Sequence, residues 1–315
     1  MTESGKKLNP GPLYLTISAI CWSTAGVLTK LIPFGAMTVA CIRGIIAALI
    51  QVIYLFFTRK EERAQLFSLK GWLKRPIVLT AICYLGESSL FMFANKMTSA
   101  GSAIVLQNTS PVYLMLMGLI FLRKKPSGMD CCVGAVIFSG ILLSMMDTLR
   151  GGALPGSNPM LGNLLALLSG VFYAGVFFTS QLPGADALRS TILGNAMYFL
   201  FLPFVFSDPA VMHPQSTGVA LPMAWGAMLF MGVIQMAIPW ITFSLGISRT
   251  PALQASFITM IEPVLNPILA FFFLQEAMGG LSVAGSVLVV VTILIYNILS
   301  ARREEKQRLE QKSEA

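Results

Sequence analysis

The chain has 315 residues, 55% hydrophobic and 11% charged, with a mean hydropathy of +0.74. That composition excludes a water-soluble globular protein and predicts a polytopic all-α integral membrane protein. The formal net charge of +8 reflects 22 Lys and Arg against 14 Asp and Glu. The basic residues lie in turns between apolar segments, where orientation in the membrane explains them and nucleic-acid binding does not.

Ten apolar segments of a spanning helix's length follow in order, at 12–33, 36–57, 76–95, 98–122, 129–147, 160–182, 188–206, 221–245, 251–274 and 281–300. The first is too long, and too well followed by further spans, to read as a cleaved signal peptide. The five cysteines, Cys21, Cys41, Cys83, Cys131 and Cys132, lie in or beside apolar segments and imply no disulfide framework. His213 is the single histidine. No metal-ligand or nucleotide-binding motif stands in a usable context, so neither metal nor cofactor is expected.

A cytoplasmic N-terminus gathers most basic residues on one side: Lys6, Lys7, six in 58–75, Arg123 to Lys125, Arg189, Arg249 and five in the tail 301–315. The other side holds Lys30, Lys96 and Arg150. This asymmetry predicts a multi-pass protein of the plasma or inner membrane with both termini in the cytoplasm.

A shift of 152 residues lays Thr109-Ser110-Pro111-Val112 over Ile261-Glu262-Pro263-Val264, Phe121-Leu122 over Phe273-Leu274, and Ala103 over Ala255. Five spans per copy is an odd number, so the second copy is expected to enter the membrane upside down. The expected organisation is a first five-helix repeat in 1–150, with its tail in 1–11, an inverted second repeat in 151–300, and a charged tail in 301–315. Equivalent loops diverge in charge as inversion requires: 58–75 is basic, while 207–220 has no Lys or Arg. Inverted symmetry places a pathway between the copies with a site near the bilayer midplane.

These residues carry a resemblance. Trp22 to Lys30, Arg43, and the run from Glu262-Pro263-Val264 to Phe273-Leu274-Gln275-Glu276 resemble motifs of the ten-span EamA-type transporters of the drug/metabolite transporter superfamily, in the same order and over about residues 12–300. The departure is Lys124, where the first-half motif usually ends in a glutamate; its predicted cytoplasmic place suits a topological role. The resemblance implies secondary transport, usually efflux of small metabolites or drugs.

Charges inside spans are costly and need reasons. Arg43, near the outer end of its span, reads as a structural residue that snorkels towards water or pairs within the bundle. Glu87, within Gly86-Glu87-Ser88-Ser89, reads as a carboxylate able to exchange a proton or hold a cationic substrate. Glu262 stands where Pro263 and Pro267 break the helix and free the carbonyls of Thr259 and Pro263. Opposite it, Pro111 frees the Gln107 carbonyl beside Asn108, and Pro239 that of Gln235. Substrate or proton contacts are therefore expected from Glu262, Glu87, Gln107, Asn108, Thr259 and Gln235, with Trp22 and Tyr84 as stacking groups; Phe91, Tyr113, Phe172, Tyr173, Trp240 and Phe257 are further aromatics in the spans.

The leading expectation is a secondary exporter of small metabolites, amino acids or drug-like solutes, driven by an ion gradient such as protons or by a solute gradient, and rocking or gating one half against the other. It works as a monomer or homodimer in the lipid bilayer. A facilitated-diffusion carrier or importer is the alternative within the same fold; an intramembrane enzyme or a non-transporting receptor or scaffold is the alternative from another class.

Overall fold

The computed structural model describes residues 9–62, 69–123, 127–150, 158–213 and 220–275, and most positions from 279 to 299. Lys6, Lys7, Lys124, Lys125, Glu276 and the tail 301–315 lie outside the described residues. Among those residues all regular structure is helical. The main helices are α1 (Gly11–Leu31), α2 (Ala36–Thr58), α3 (Arg75–Met97), α4 (Ala100–Leu122), α5 (Gly128–Arg150), α6 (Pro159–Thr179), α7 (Ala187–Phe206), α8 (Leu221–Ile247), α9 (Gln254–Leu274) and α10 (Val283–Thr292).

Eight of these, all but α5 and α10, are long and apolar enough to cross a membrane. The ten-span expectation is met in full at those eight. At the fifth and tenth places the apolar runs among the described residues, Gly128–Gly140 and Val283–Thr292, are shorter. The outer surface is apolar: Phe57, Ile120, Phe121, Leu200 and Phe272 are all well exposed. Polar side chains such as Ser18, Gln51, Asn95, Ser169 and Asn195 are instead fully buried. Apolar outside and polar within is the arrangement a lipid solvent selects, and the chain is a multi-pass membrane protein.

Prolines and hydroxyls decide where the helices break. α4 is interrupted between Gln107 and Ser110, just before Pro111, and α9 between Ile258 and Ile261, just before Pro263. Proline has no N–H to give the carbonyl one turn back, so each helix restarts at that point. Both restarted segments end in a left-handed residue, Arg123 and Gln275. Before Pro203, α7 tightens to a 3₁₀ stretch, Met197–Phe201; before Pro239, α8 widens to a π-helical stretch, Met231–Ala237. α1 breaks without proline: Ser23 Oγ donates to the Ala19 carbonyl at 2.7 Å and Thr24 Oγ1 to that of Cys21 at 2.8 Å.

The halves interlock. α3 packs most extensively on α6 and also on α7, both from the second half, while α8 packs on α1 and α2, both from the first. α4 joins the α3–α6–α7 group through α6, and α9 lies against α1 and α4. By packing, α1 and α8, with α9 alongside, form one body and α3, α4, α6 and α7 the other, while α2 joins them, packed on α8 and still more extensively on α7.

Candidate functional site

A buried pocket lies between these two bodies. Trp22 of α1, Arg43 of α2, Gln235, Met236 and Trp240 of α8 and Glu262 of α9 line it from one side, and Glu87, Ser88 and Phe91 of α3, Gln107 of α4 and Tyr173 of α6 from the other. Its cavity is about 20 Å³, room for about one water molecule.

The helix breaks put the polar groups there. The α4 break ends one helical segment at Gln107, and Gly170 of α6 lets the chains approach: a Cβ at that glycine would stand 2.6 Å from the Gln107 carbonyl oxygen. Gln107 Nε2 then donates to Glu87 Oε1 at 2.7 Å and to Ser169 Oγ at 2.8 Å, while Ser169 Oγ donates to the Glu87 carbonyl at 3.0 Å. Both amide hydrogens of Gln107 are thereby committed, and Glu87 Oε1 is held as an acceptor.

Arg43 is 2% exposed and points into the protein, so it does not snorkel. Its NH1 donates to Gln235 Oε1 at 3.0 Å, and its NH2 to Ser88 Oγ at 2.7 Å and the Ser88 carbonyl at 3.3 Å. These partners are neutral, so the guanidinium is positioned by hydrogen bonds from both bodies. Gln235 sits in the π-helical stretch that precedes Pro239.

Glu262 follows the α9 break and is 4% exposed. The Thr259 carbonyl, left without its usual partner by Pro263, accepts the Glu262 N–H at 3.0 Å. It is paired by this tighter turn and is not the free acceptor that the sequence suggested. Aromatic rings close the pocket: Trp22 and Trp240 have centroids 4.8 Å apart, and Trp22 meets Tyr173 edge-on at 6.2 Å.

Of the eight expected contact residues, the fold brings Trp22, Glu87, Gln107, Gln235 and Glu262 together. Tyr84, Asn108 and Thr259 are buried outside the pocket lining. Tyr84 donates to Asn195 Oδ1 at 2.6 Å and packs edge-on against Trp240; Asn108 Nδ2 and Thr259 Oγ1 donate to the carbonyls of Ile104 and Ser256. Sequence reasoning missed Ser169 and the tie between Ser88 and Arg43, for which a serine in a span carries no local signal.

The chain matches the model of the EamA-like transporter family twice, over residues 9–146 and 160–298. It is 23% identical over 301 residues, 93% of this chain and 95% of the relative, to the Bacillus subtilis (strain 168) protein named uncharacterized transporter YwfM. It is 24% identical over 210 residues, 65% of this chain and 67% of the relative, to a probable terminal-alkyne amino-acid exporter of Streptantibioticus cattleyicolor. A solved crystal structure shares the fold with a TM-score of 0.66 at 15% identity, over 93% of this chain and 98% of that one.

Proposed function

The chain belongs to the EamA-like transporter family of the drug/metabolite transporter superfamily, and from that premise we propose that it is a proton-coupled secondary exporter of small amine-bearing solutes, working by alternating access. The observation that carries this reading is the charge inventory of the central pocket, where one guanidinium, Arg43, shares a buried space with two carboxylates, Glu87 and Glu262. Arginine stays charged. One carboxylate balances it, and leaving the second charge buried without a partner costs on the order of several kcal/mol. A proton or the ammonium group of a solute supplies that partner, and the two compete for it.

Glu262 is the exchanging group in this reading, because Glu87 is already held by Gln107. Trp22, Trp240 and Tyr173 offer π-faces to a cationic or apolar solute. The relative named a probable terminal-alkyne amino-acid exporter is consistent with an amine-bearing cargo. The two copies run in opposite senses through a plasma or inner membrane, with both termini cytoplasmic, and the mixed bodies on either side of the pocket expose it alternately.

The test is uptake of a mixed amino-acid and cationic-drug pool into proteoliposomes, with and without a pH gradient, for the wild type and Glu262→Gln. The reading holds if a solute moves, responds to the gradient and loses that response in Glu262→Gln. Equal gradient response in both proteins removes Glu262 from the mechanism. Gradient-independent movement in the wild type makes the protein a facilitated-diffusion carrier.

A further inference from the structure

At the seam between the two bodies α2 packs against α7; the two helices run antiparallel and are fastened at both ends. At the Gly35 end, Asp208, just past α7, accepts through Oδ2 from the Gly35 N–H at 2.7 Å and the Thr38 hydroxyl at 2.5 Å, and through Oδ1 from the Ala210 N–H at 2.9 Å. Close by, Lys96 at the end of α3 donates to the Ile32 carbonyl at 2.7 Å, tying the same two bodies. At the other end, Arg59, just past α2, forms an ion pair with Asp186, which also caps the start of α7 by accepting from the Arg189 N–H at 3.1 Å.

The 152-residue shift relates the two ends only in place, not residue by residue: Gly35 falls on Ala187, next to Asp186, while Arg59 falls on Val211, three residues past Asp208. In each case a residue beyond the end of one helix grips the start of the other. Their chemistry differs. Asp208 is 9% exposed and bonds to neutral donors, whereas the side chains of Arg59 and Asp186 are 34% and 17% exposed. Between the clamps lies the 3₁₀ stretch Met197–Phe201 of α7, a local weakness of the kind that serves as a hinge. The cavity behind them holds about one water.

We infer that these clamps are the two gates of the pocket: releasing Asp208 from Gly35 and Thr38 opens it towards one face of the membrane, and releasing Arg59 from Asp186 opens it towards the other, with α7 bending at Met197–Phe201. This rests on the alternating-access reading above. The gates are unequal, because the partly exposed ion pair is screened by salt and the buried aspartate is not.

The experiment places a cysteine at Phe91, in the pocket, in a chain whose Cys21, Cys41, Cys83, Cys131 and Cys132 are replaced by alanine or serine. Labelling by a membrane-impermeant thiol reagent is then followed from each face of oriented proteoliposomes. Asp208→Ala is expected to raise labelling about tenfold from one face only, the scale of a lost charge-assisted hydrogen bond. Arg59→Gln raises it from the opposite face only, and high salt mimics Arg59→Gln alone. Increases from the same face, or none in folded protein, overturn the inference.

Should the cysteine-replaced chain not fold, hydrogen exchange on the native-cysteine chain decides. Faster exchange confined to the end of the seam that carries each substitution supports the gates, and uniform or absent change refutes them. Labelling needs no transported solute, so a failure to find transport is read separately from a failure of the gates.

Discussion

Arg123 and Gln275, 152 positions apart, hold the same left-handed backbone, with φ of 52° and 55°, and are the two non-glycine residues with positive φ among those described. Each closes the helix that restarts after a proline break and directly follows an aligned Phe-Leu pair, so the two copies terminate this element in the same left-handed cap. A side chain there costs about 1 kcal/mol relative to glycine. Gln275→Gly is therefore expected to stabilise the protein by roughly 0.5–1 kcal/mol, read as a rise in thermal unfolding temperature in detergent. A fall would show that the Gln275 side chain makes a compensating contact.

Gly170 is the point where α6 meets the α4 break. Gly170→Ala places a Cβ 2.6 Å from the Gln107 carbonyl and 3.1 Å from Thr109 Oγ1, and backbone cannot yield as a flexible side-chain tip does. A loss of about 1–3 kcal/mol is expected, with weaker transport because Gln107 is displaced. Wild-type stability and transport together in this variant would mean that the break adapts.

Gln107 donates to both Glu87 and Ser169. Gln107→Leu leaves two buried acceptors without their donor, at about 1–3 kcal/mol, and frees Glu87 from its fixed orientation. Gln107→Asn keeps the amide but shortens its reach, and is expected to lose the Glu87 contact as well. Infrared difference spectra of the carboxyl region on ligand addition report the change, and spectra identical to wild type would rule out the Gln107–Glu87 bond as a working contact.

Arg43 bridges the bodies through two nitrogens aimed at different helices. Arg43→Lys retains the charge but has no planar fork to reach Gln235 and Ser88 together, so transport should fall at least about tenfold, the scale of one charged hydrogen bond. Near-normal transport by Arg43→Lys, with loss in Arg43→Gln, would reduce the role of Arg43 to its charge alone.

The aligned prolines before the α4 and α9 breaks were legible in the sequence because proline acts locally, by removing one donor. So were the apolar lengths of the spans, and Glu87 and Glu262 as costly charges within them. The prolines did not reveal what their freed carbonyls would find: Thr259 took the Glu262 N–H through a tighter turn. Nor did a polar residue's presence in a span reveal its direction. Tyr84, as polar and aromatic as Tyr173, turns to Asn195, while Tyr173 faces the pocket. Arg43, read as snorkelling or pairing structurally, does not snorkel but turns inward to Gln235 and Ser88.

Composition and hydropathy were enough to determine a multi-pass helical membrane protein, since each is a property of single segments. Which helices pack together, which faces look inward and how the halves interlock were decided only by the tertiary structure. Spans apolar on every side carry no amphipathic stripe to orient them. Their rotation is set instead by close packing and by buried polar pairs such as Gln107 with Glu87 and Asp208 with Gly35, each joining two different helices or their ends.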